Sequence, residues 1–116
     1  MGAQEEGFTE RYRLVLTNRA QQDLLQISNY IGTVKQEPNN AIKVIDEINK
    51  TLEQVIINPV GYKECPELKT KSISFRQAIC YHWLILFKIE DNLIRVLTIV
   101  SGRRLRSRIK ELRGMV

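Results

Sequence analysis

Two stretches of the chain repeat apolar residues at the period of an α-helix, with a short polar segment between them. The first follows Thr17 and Asn18, either of which can cap a helix. Its apolar positions, spaced i, i+4, i+7 and i+11, are Ala20, Leu24, Ile27 and Ile31. In the second, Pro38 suits the first helical turn, Asn58-Pro59 ends the helix, and the apolar positions are Ala41, Ile45, Ile48, Leu52, Val55 and Ile56. Each helix has one apolar face, so the pattern predicts a helical hairpin lying on one face of a sheet.

Four other segments have the composition or the alternation of β-strands. Residues 12–16 form a short apolar run before the first helix, and residues 72–79, 83–89 and 93–100 follow the second. Residues 83–89 are apolar on both faces, as expected of a central strand. In residues 72–79 the side chains alternate: Ile73, Phe75 and Ile79 point one way, while Ser74, Arg76 and Ala78 point the other.

This order predicts an α+β fold of the form β-α-α-β-β-β, with the helical hairpin packed on one face of a small, mainly antiparallel sheet. The tail spacing of Leu105, Ile109 and Leu112 allows a short C-terminal helix. The second sheet face looks only partly apolar, so we expect it to be exposed for function. The 116 residues suffice for one domain, at 12–116, and residues 1–11 suggest a mobile arm or a cloning remnant.

Composition excludes several classes of protein. With 43% hydrophobic and 27% charged residues, the chain is typical of a soluble globular domain. No apolar run approaches the roughly 20 residues that span a bilayer, and the acidic start is unlike a signal peptide. Cys65 and Cys80 with the single histidine do not match a zinc site, and two thiols are favoured over a disulfide. We therefore expect a cytoplasmic protein with no metal, no cofactor and no membrane partner.

The net charge of +5 is unevenly placed. Residues 1–100 carry 12 basic and 12 acidic side chains, so the excess lies in the last sixteen residues, with six basic side chains and one acidic. Divided differently, residues 1–67 sum to −3 and residues 68–116 to +8. This asymmetry predicts a polyanionic or acidic partner for the second half.

The ordered set of residues resembles the RelE/ParE superfamily of toxins from bacterial type II toxin–antitoxin systems, and its ParE-like members more closely than its RelE-like ones. The resemblance extends over about residues 12–112. It rests on Tyr12-Arg-Leu-Val-Leu-Thr, Ala20, Asp23-Leu24, Ile27, Tyr30-Ile31, Ala41, Pro59, Gly61, Arg76, residues 84–89 and 94–99, and Gly102-Arg103-Arg104. It implies a small toxin of the predicted fold that a cognate antitoxin binds and neutralises.

The superfamily divides by target. RelE-like members resemble ribonucleases that cut mRNA in the ribosomal A site, and ParE-like members resemble gyrase poisons. For the nuclease, the resemblance carries over only Arg76 and Arg104 as phosphate-stabilising catalytic residues. Ala78 and Leu84 stand where RelE-like members have basic residues, and Lys110 stands where they have the usual general acid. His82 is a weak candidate for a general base.

Residues that would bind a target or phosphate come from the basic segments of the second half. They are Lys69, Lys71, Arg103, Arg106 and Lys110. Tyr81 and Trp83 could stack on a base, although Trp83 shares its face with apolar strand residues and suits the core better. Asp23, on the first helix, is expected to cap or pair, and a pair with Arg76 competes with a phosphate-binding role for that arginine.

Three hypotheses remain open from the sequence. The leading one is a growth-inhibiting, gyrase-poison-like toxin held by a cognate antitoxin, as a homodimer or a toxin–antitoxin heterotetramer. The second is a metal-independent, ribosome-dependent endoribonuclease acting on mRNA. The third is a non-toxic domain that binds nucleic acid through its basic tail.

Overall fold

A computed structural model of the chain describes residues 12–65 and 75–115, with side chains as far as Leu112. Its main elements are β1 (Arg13–Leu16), α1 (Asn18–Asn29), α2 (Pro38–Ile57), β2 (Phe75–Cys80), β3 (Trp83–Glu90), β4 (Leu93–Ser101) and α3 (Leu105–Met115). The predicted β-α-α-β-β-β order and the C-terminal helix are confirmed. The predicted arm at residues 1–11 and the first three residues of the predicted strand 72–79 lie outside the described residues.

The four strands form one sheet in the order β1-β4-β3-β2. β1 runs parallel to β4, and the β4–β3 and β3–β2 pairs are antiparallel, so the sheet is mainly antiparallel as predicted. Leu86 pairs with Thr98 but Phe87 pairs with Val96, which leaves Leu97 as the extra residue of a β-bulge. β3 is central, as its two apolar faces predict.

The start of α1 is attached to the sheet by its capping residue. The Thr17 hydroxyl oxygen accepts a hydrogen bond from the Ala20 N–H at 3.1 Å, and the same hydroxyl donates to the Leu97 carbonyl at 2.9 Å. The predicted cap is therefore confirmed, and it also fixes α1 beside β4. After Asn29 the helix widens into a π-helical turn, Tyr30–Val34, in which the Lys35 N–H donates to the Tyr30 carbonyl at 2.9 Å.

The main core lies between the helical hairpin and the sheet. Its buried residues from the helices are Ala20, Ile27, Ile31, Ala41, Val44, Ile48, Leu52 and Val55. They pack against Ala78, Cys80, Ile85, Phe87, Ile94, Val96 and Ile99 of the strands. The predicted helix faces are therefore the core faces, with Leu24, Ile45 and Ile56 half-buried at their margins.

The expectation that the second sheet face is open for function is wrong. Ile109 and Leu112 of α3 pack there against Leu86, Leu97 and Phe75, forming a second, smaller core. Leu97 lies on this face by regular alternation from Val96, and the bulge then places Ile99 on the hairpin face. The two cysteines belong to different cores on opposite faces, Cys65 under α3 and Cys80 under the hairpin.

The orientation of β2 also differs from the prediction. The alternation places Arg76 with Ser74 and Ala78 on what looks like the less apolar face, yet in the structure the face of Arg76 carries Ala78 and Cys80 toward the core under the helical hairpin. Phe75 points to the α3 side and is buried, whereas Ile79 on that side is 63% exposed. Alternation separates the two faces of a strand, but it cannot say which face a helix will cover.

Candidate functional site

A groove of about 1040 Å³ opens at one end of the sheet. One wall comes from α1, the π-helical turn and α2. The other comes from the turn between β2 and β3 and from the end of β4 with the 3₁₀ turn Gly102–Arg104. Its floor is apolar, with contributions from Ile27, Ile31 and Val44. The volume is at the upper end of the range of about 300–1,000 Å³ for small-molecule sites, so an extended ligand can be accommodated.

Cations lie on both walls of the groove. Lys35 and Lys43 are exposed on the helical wall, and Arg103 and Arg104 are exposed at the end of the sheet. None of these four forms a salt bridge with any acidic side chain in the described part of the chain. The groove therefore presents about four uncompensated positive charges to a ligand, which is a strong local attraction for anions.

Among the described residues that line the groove, the acidic side chain is Asp23, and it is already paired with a cation. Asp23 is 3% exposed, and its Oδ1 accepts a hydrogen bond from Arg108 Nη1 at 2.9 Å. Its Oδ2 accepts from the Ile99 N–H at 2.9 Å and from the Thr98 hydroxyl. Arg108 therefore lines the groove, but its charge is already paired with Asp23. The Asp23–Arg108 pair also joins α1 to α3 around the edge of β4.

Aromatic rings surround the mouth of the groove. Tyr30 and Tyr81 are 53% and 55% exposed, and the His82 ring lies beside Trp83 with 4.5 Å between centroids and the ring planes tilted by 36°. Trp83 packs against the hairpin core, as expected, and its indole N–H is buried without an acceptor among the described residues. Tyr81 has a φ of 57°, in the left-handed region that favours glycine.

Three of the predicted site residues meet in this groove: His82, Arg103 and Arg104. His82 lies in the β2–β3 turn, and the Gly102 N–H donates to its carbonyl at 3.1 Å. Arg106 and Lys110 are exposed on α3 and do not line the groove. Lys69 and Lys71 lie outside the described residues.

Arg76 is not brought to the groove. One of its guanidinium nitrogens donates to the Tyr62 carbonyl at 2.7 Å and to the Val60 carbonyl at 3.4 Å, in the loop after α2. Its pairing partner Phe87 lies four residues along β3 from Trp83, which pairs with Ser101 just before the arginines of the groove. Four strand residues span about 13 Å, so the backbone of Arg76 lies about that far along the sheet from the strand ends that carry the groove arginines. Asp23 takes Arg108 as its partner and not Arg76.

Sequence reasoning missed Lys35, Lys43 and Tyr30 as groove residues. Each belongs to the polar flank of a helical stripe, where a lysine or tyrosine is usually only solvated. A signal was present in Tyr30 and Val34, two large apolar or aromatic side chains just off the core stripe, both exposed in the structure.

Residues 12–65 and 75–115 lack the features of two other kinds of site. No group of three or more His, Cys, Asp or Glu side chains is placed there to hold a metal ion. No helix in these ranges has both the length and the apolar composition needed to cross a membrane.

Sequence comparison assigns the family. The family described as "ParE toxin of type II toxin-antitoxin system, parDE" matches residues 14–106, which is most of the chain. The fold and this match define a small toxin of the RelE/ParE superfamily. The chain belongs to the ParE toxin family of type II toxin–antitoxin systems. No curated protein sequence matches the chain significantly.

Two solved structures are similar in fold. One, a chromosomal ParDE system from P. aeruginosa, is 17% identical with a TM-score of 0.62, and the match covers 79% of this chain and 97% of that one. The other, the archaeal RelE–RelB complex from Pyrococcus horikoshii OT3, is 14% identical with a TM-score of 0.50, covering 80% and 98%. At these identities the likeness supports the shared fold and no more.

Proposed function

We propose that this toxin inhibits growth by binding DNA gyrase as a poison, and that a cognate antitoxin neutralises it. The observation that carries the choice against RNA cleavage is the position of Arg76. Cleavage of the RelE type would need Arg76 and Arg104 on one phosphate, and the Arg76 guanidinium instead donates to two loop carbonyls on the hairpin side of the sheet. A cation already committed in this way cannot stabilise a phosphorane at the groove without breaking those bonds.

The other nuclease positions agree with this proposal. Ala78 is buried in the hairpin core, so a longer basic side chain would not fit there without displacing its neighbours. Leu84 is a half-buried apolar residue of the groove wall, and Lys110 is exposed on α3 away from the groove. What remains at the groove is a charged and aromatic binding surface, which suits a toxin that acts by association.

One observation favours a second candidate function, RNA cleavage. His82, Arg103 and Arg104 share the groove, so a general base and two cations could meet one phosphate there. That arrangement would make the chain a metal-independent endoribonuclease whose base is His82. A non-toxic nucleic-acid-binding domain is the third candidate and predicts no growth phenotype.

The proposed partner is an antitoxin with an acidic and apolar segment. The second half of the chain carries a charge of +8, and the groove offers both cations and apolar side chains to such a segment. A toxin–antitoxin heterotetramer or a toxin homodimer is compatible with this proposal, and light scattering of the co-expressed proteins distinguishes them.

The test separates the two mechanisms directly. Purified toxin is added to gyrase with supercoiled plasmid and, in parallel, to a translating extract in which mRNA ends are mapped. Trapped gyrase–DNA cleavage complexes without codon-phased cuts are expected. Codon-phased cuts without cleavage complexes would overturn the proposal.

Matched variants locate the activity. Arg103→Ala with Arg104→Ala removes two groove cations, and Arg106→Ala with Lys110→Ala removes two exposed cations of α3 outside the groove. The first pair is expected to relieve growth arrest on induction and the second to retain it. Equal effects would show that net charge and not the groove governs toxicity.

A further inference from the structure

Tyr81 is an exposed aromatic residue that lines the groove and has a positive φ. Tyr81 is the first residue of the two-residue turn joining Cys80 of β2 to Trp83 of β3, and its φ is 57°. Glycine adopts this conformation freely, whereas a bulky side chain is disfavoured in it. Asp91 has nearly the same φ, 56°, at the equivalent position of the β3–β4 turn, so the two-residue turn accounts for the positive φ, and what distinguishes Tyr81 is its aromatic ring. Tyr81 is 55% exposed, so packing does not account for its presence.

The surroundings of Tyr81 indicate the class of ligand. The other exposed aromatic side chains lining the groove are His82, next to Tyr81 in the turn, and Tyr30 on the helical wall. Aromatic faces alternating with uncompensated cations form the usual platform for single-stranded nucleic acid, whose bases stack while its phosphates meet lysine and arginine. Bases within a duplex present no free face to such rings.

The geometry points to the groove as a binding site for single-stranded nucleic acid, with Tyr81 as a base-stacking residue. The phosphate backbone lies between Lys35 and Lys43 on the helical wall and Arg103 and Arg104 at the end of the sheet. This inference goes beyond the gyrase-poison proposal, because it concerns direct binding by the toxin alone.

The experiment measures fluorescence anisotropy of a labelled 12-nucleotide single-stranded oligothymidine titrated with the full-length protein at low salt. The single tryptophan, Trp83, gives a second readout, because a base stacked beside it quenches its fluorescence. We expect the single strand to bind more tightly than a duplex of equal length. With four cations engaged, the affinity should fall with salt at a log–log slope of about −3. Equal binding of the duplex would overturn the inference.

The two turns of the sheet provide a matched pair of variants. Tyr81→Gly relieves the strain and removes the ring, so it should raise thermal stability yet weaken oligonucleotide binding about tenfold, as expected for the loss of one stacked base. Asp91→Gly acts on the other hairpin turn, where φ is 56°, at the opposite end of the sheet. It should leave binding unchanged. Tyr81→Gly with unaltered affinity would refute the stacking role.

An acidic peptide is the competing occupant. A glutamate-rich peptide of the same charge and length as the oligonucleotide is used as a competitor. If the peptide displaces the oligonucleotide only at much higher concentration, the nucleic-acid site is supported. Displacement at equal or lower concentration would assign the groove to an acidic protein segment instead.

Discussion

The buried Asp23–Arg108 pair should be a main determinant of stability, because it links the hairpin layer to the C-terminal helix where both side chains are largely excluded from water. The Asp23 carboxylate accepts hydrogen bonds from Arg108, from the Thr98 hydroxyl and from the Ile99 backbone. The Arg108 side chain is only 12% exposed. Removing one partner of such a pair leaves the other charge buried and uncompensated.

Asp23→Asn should therefore lower the free energy of unfolding by about 3 kcal/mol, the lower end of the range of about 3–5 kcal/mol for broken buried pairs. The lower end applies because Arg108 keeps a second contact, from Nε to Glu111 at 3.2 Å. At roughly 4 °C per kcal/mol, the Tm should fall by about 12 °C. This is a large fraction of the roughly 5–15 kcal/mol that stabilises a domain.

The measurement is urea unfolding followed by Trp83 fluorescence and by far-ultraviolet circular dichroism, whose coincidence tests two-state behaviour. Glu47→Gln is the control, because its pair with Lys50 is exposed on α2 and neither residue contacts Asp23 or Arg108 through a salt bridge. That change should cost less than about 1 kcal/mol. A loss below about 1 kcal/mol for Asp23→Asn, or strict additivity with Arg108→Gln, would refute the proposed coupling.

Two further predictions concern smaller effects. Gly32→Ala should stabilise the fold by about 0.5–1 kcal/mol in thermal unfolding, since a Cβ there meets Ala41 Cβ at an ordinary 3.5 Å; a loss of stability would contradict this. Hydrogen bonds from Lys88 and Arg95 lower the pKa of Glu90 below its usual range. Its stabilising contribution should be complete above the ordinary pKa of glutamate and disappear as pH falls through the folded pKa, so wild type and Glu90→Gln should differ in urea midpoint at pH 7 and converge in acid.

The sequence alone predicted the element order, the helix faces and a cap at Thr17 or Asn18, because these follow from local spacing and local chemistry; the structure selects Thr17. The stripe from Ala20 to Ile31 faces the core, and Leu105, Ile109 and Leu112 form the apolar face of α3. The family resemblance was also accessible, since it rests on an ordered set of residues. Arg103 and Arg104 could be identified as candidate site residues because Gly102-Arg103-Arg104 is part of that ordered set.

What only the tertiary structure decided is which distant residues meet. The packing of α3 covers the second sheet face, and the bulge at Leu97 places Ile99 in the hairpin core; neither can be deduced from alternation along one strand. The Arg76 guanidinium donates hydrogen bonds to loop carbonyls. Lys35 and Lys43, which are far from the basic tail in sequence, lie at the groove with Arg103. Local pattern determines the faces of an element, whereas a site depends on contacts between elements that sequence spacing does not encode.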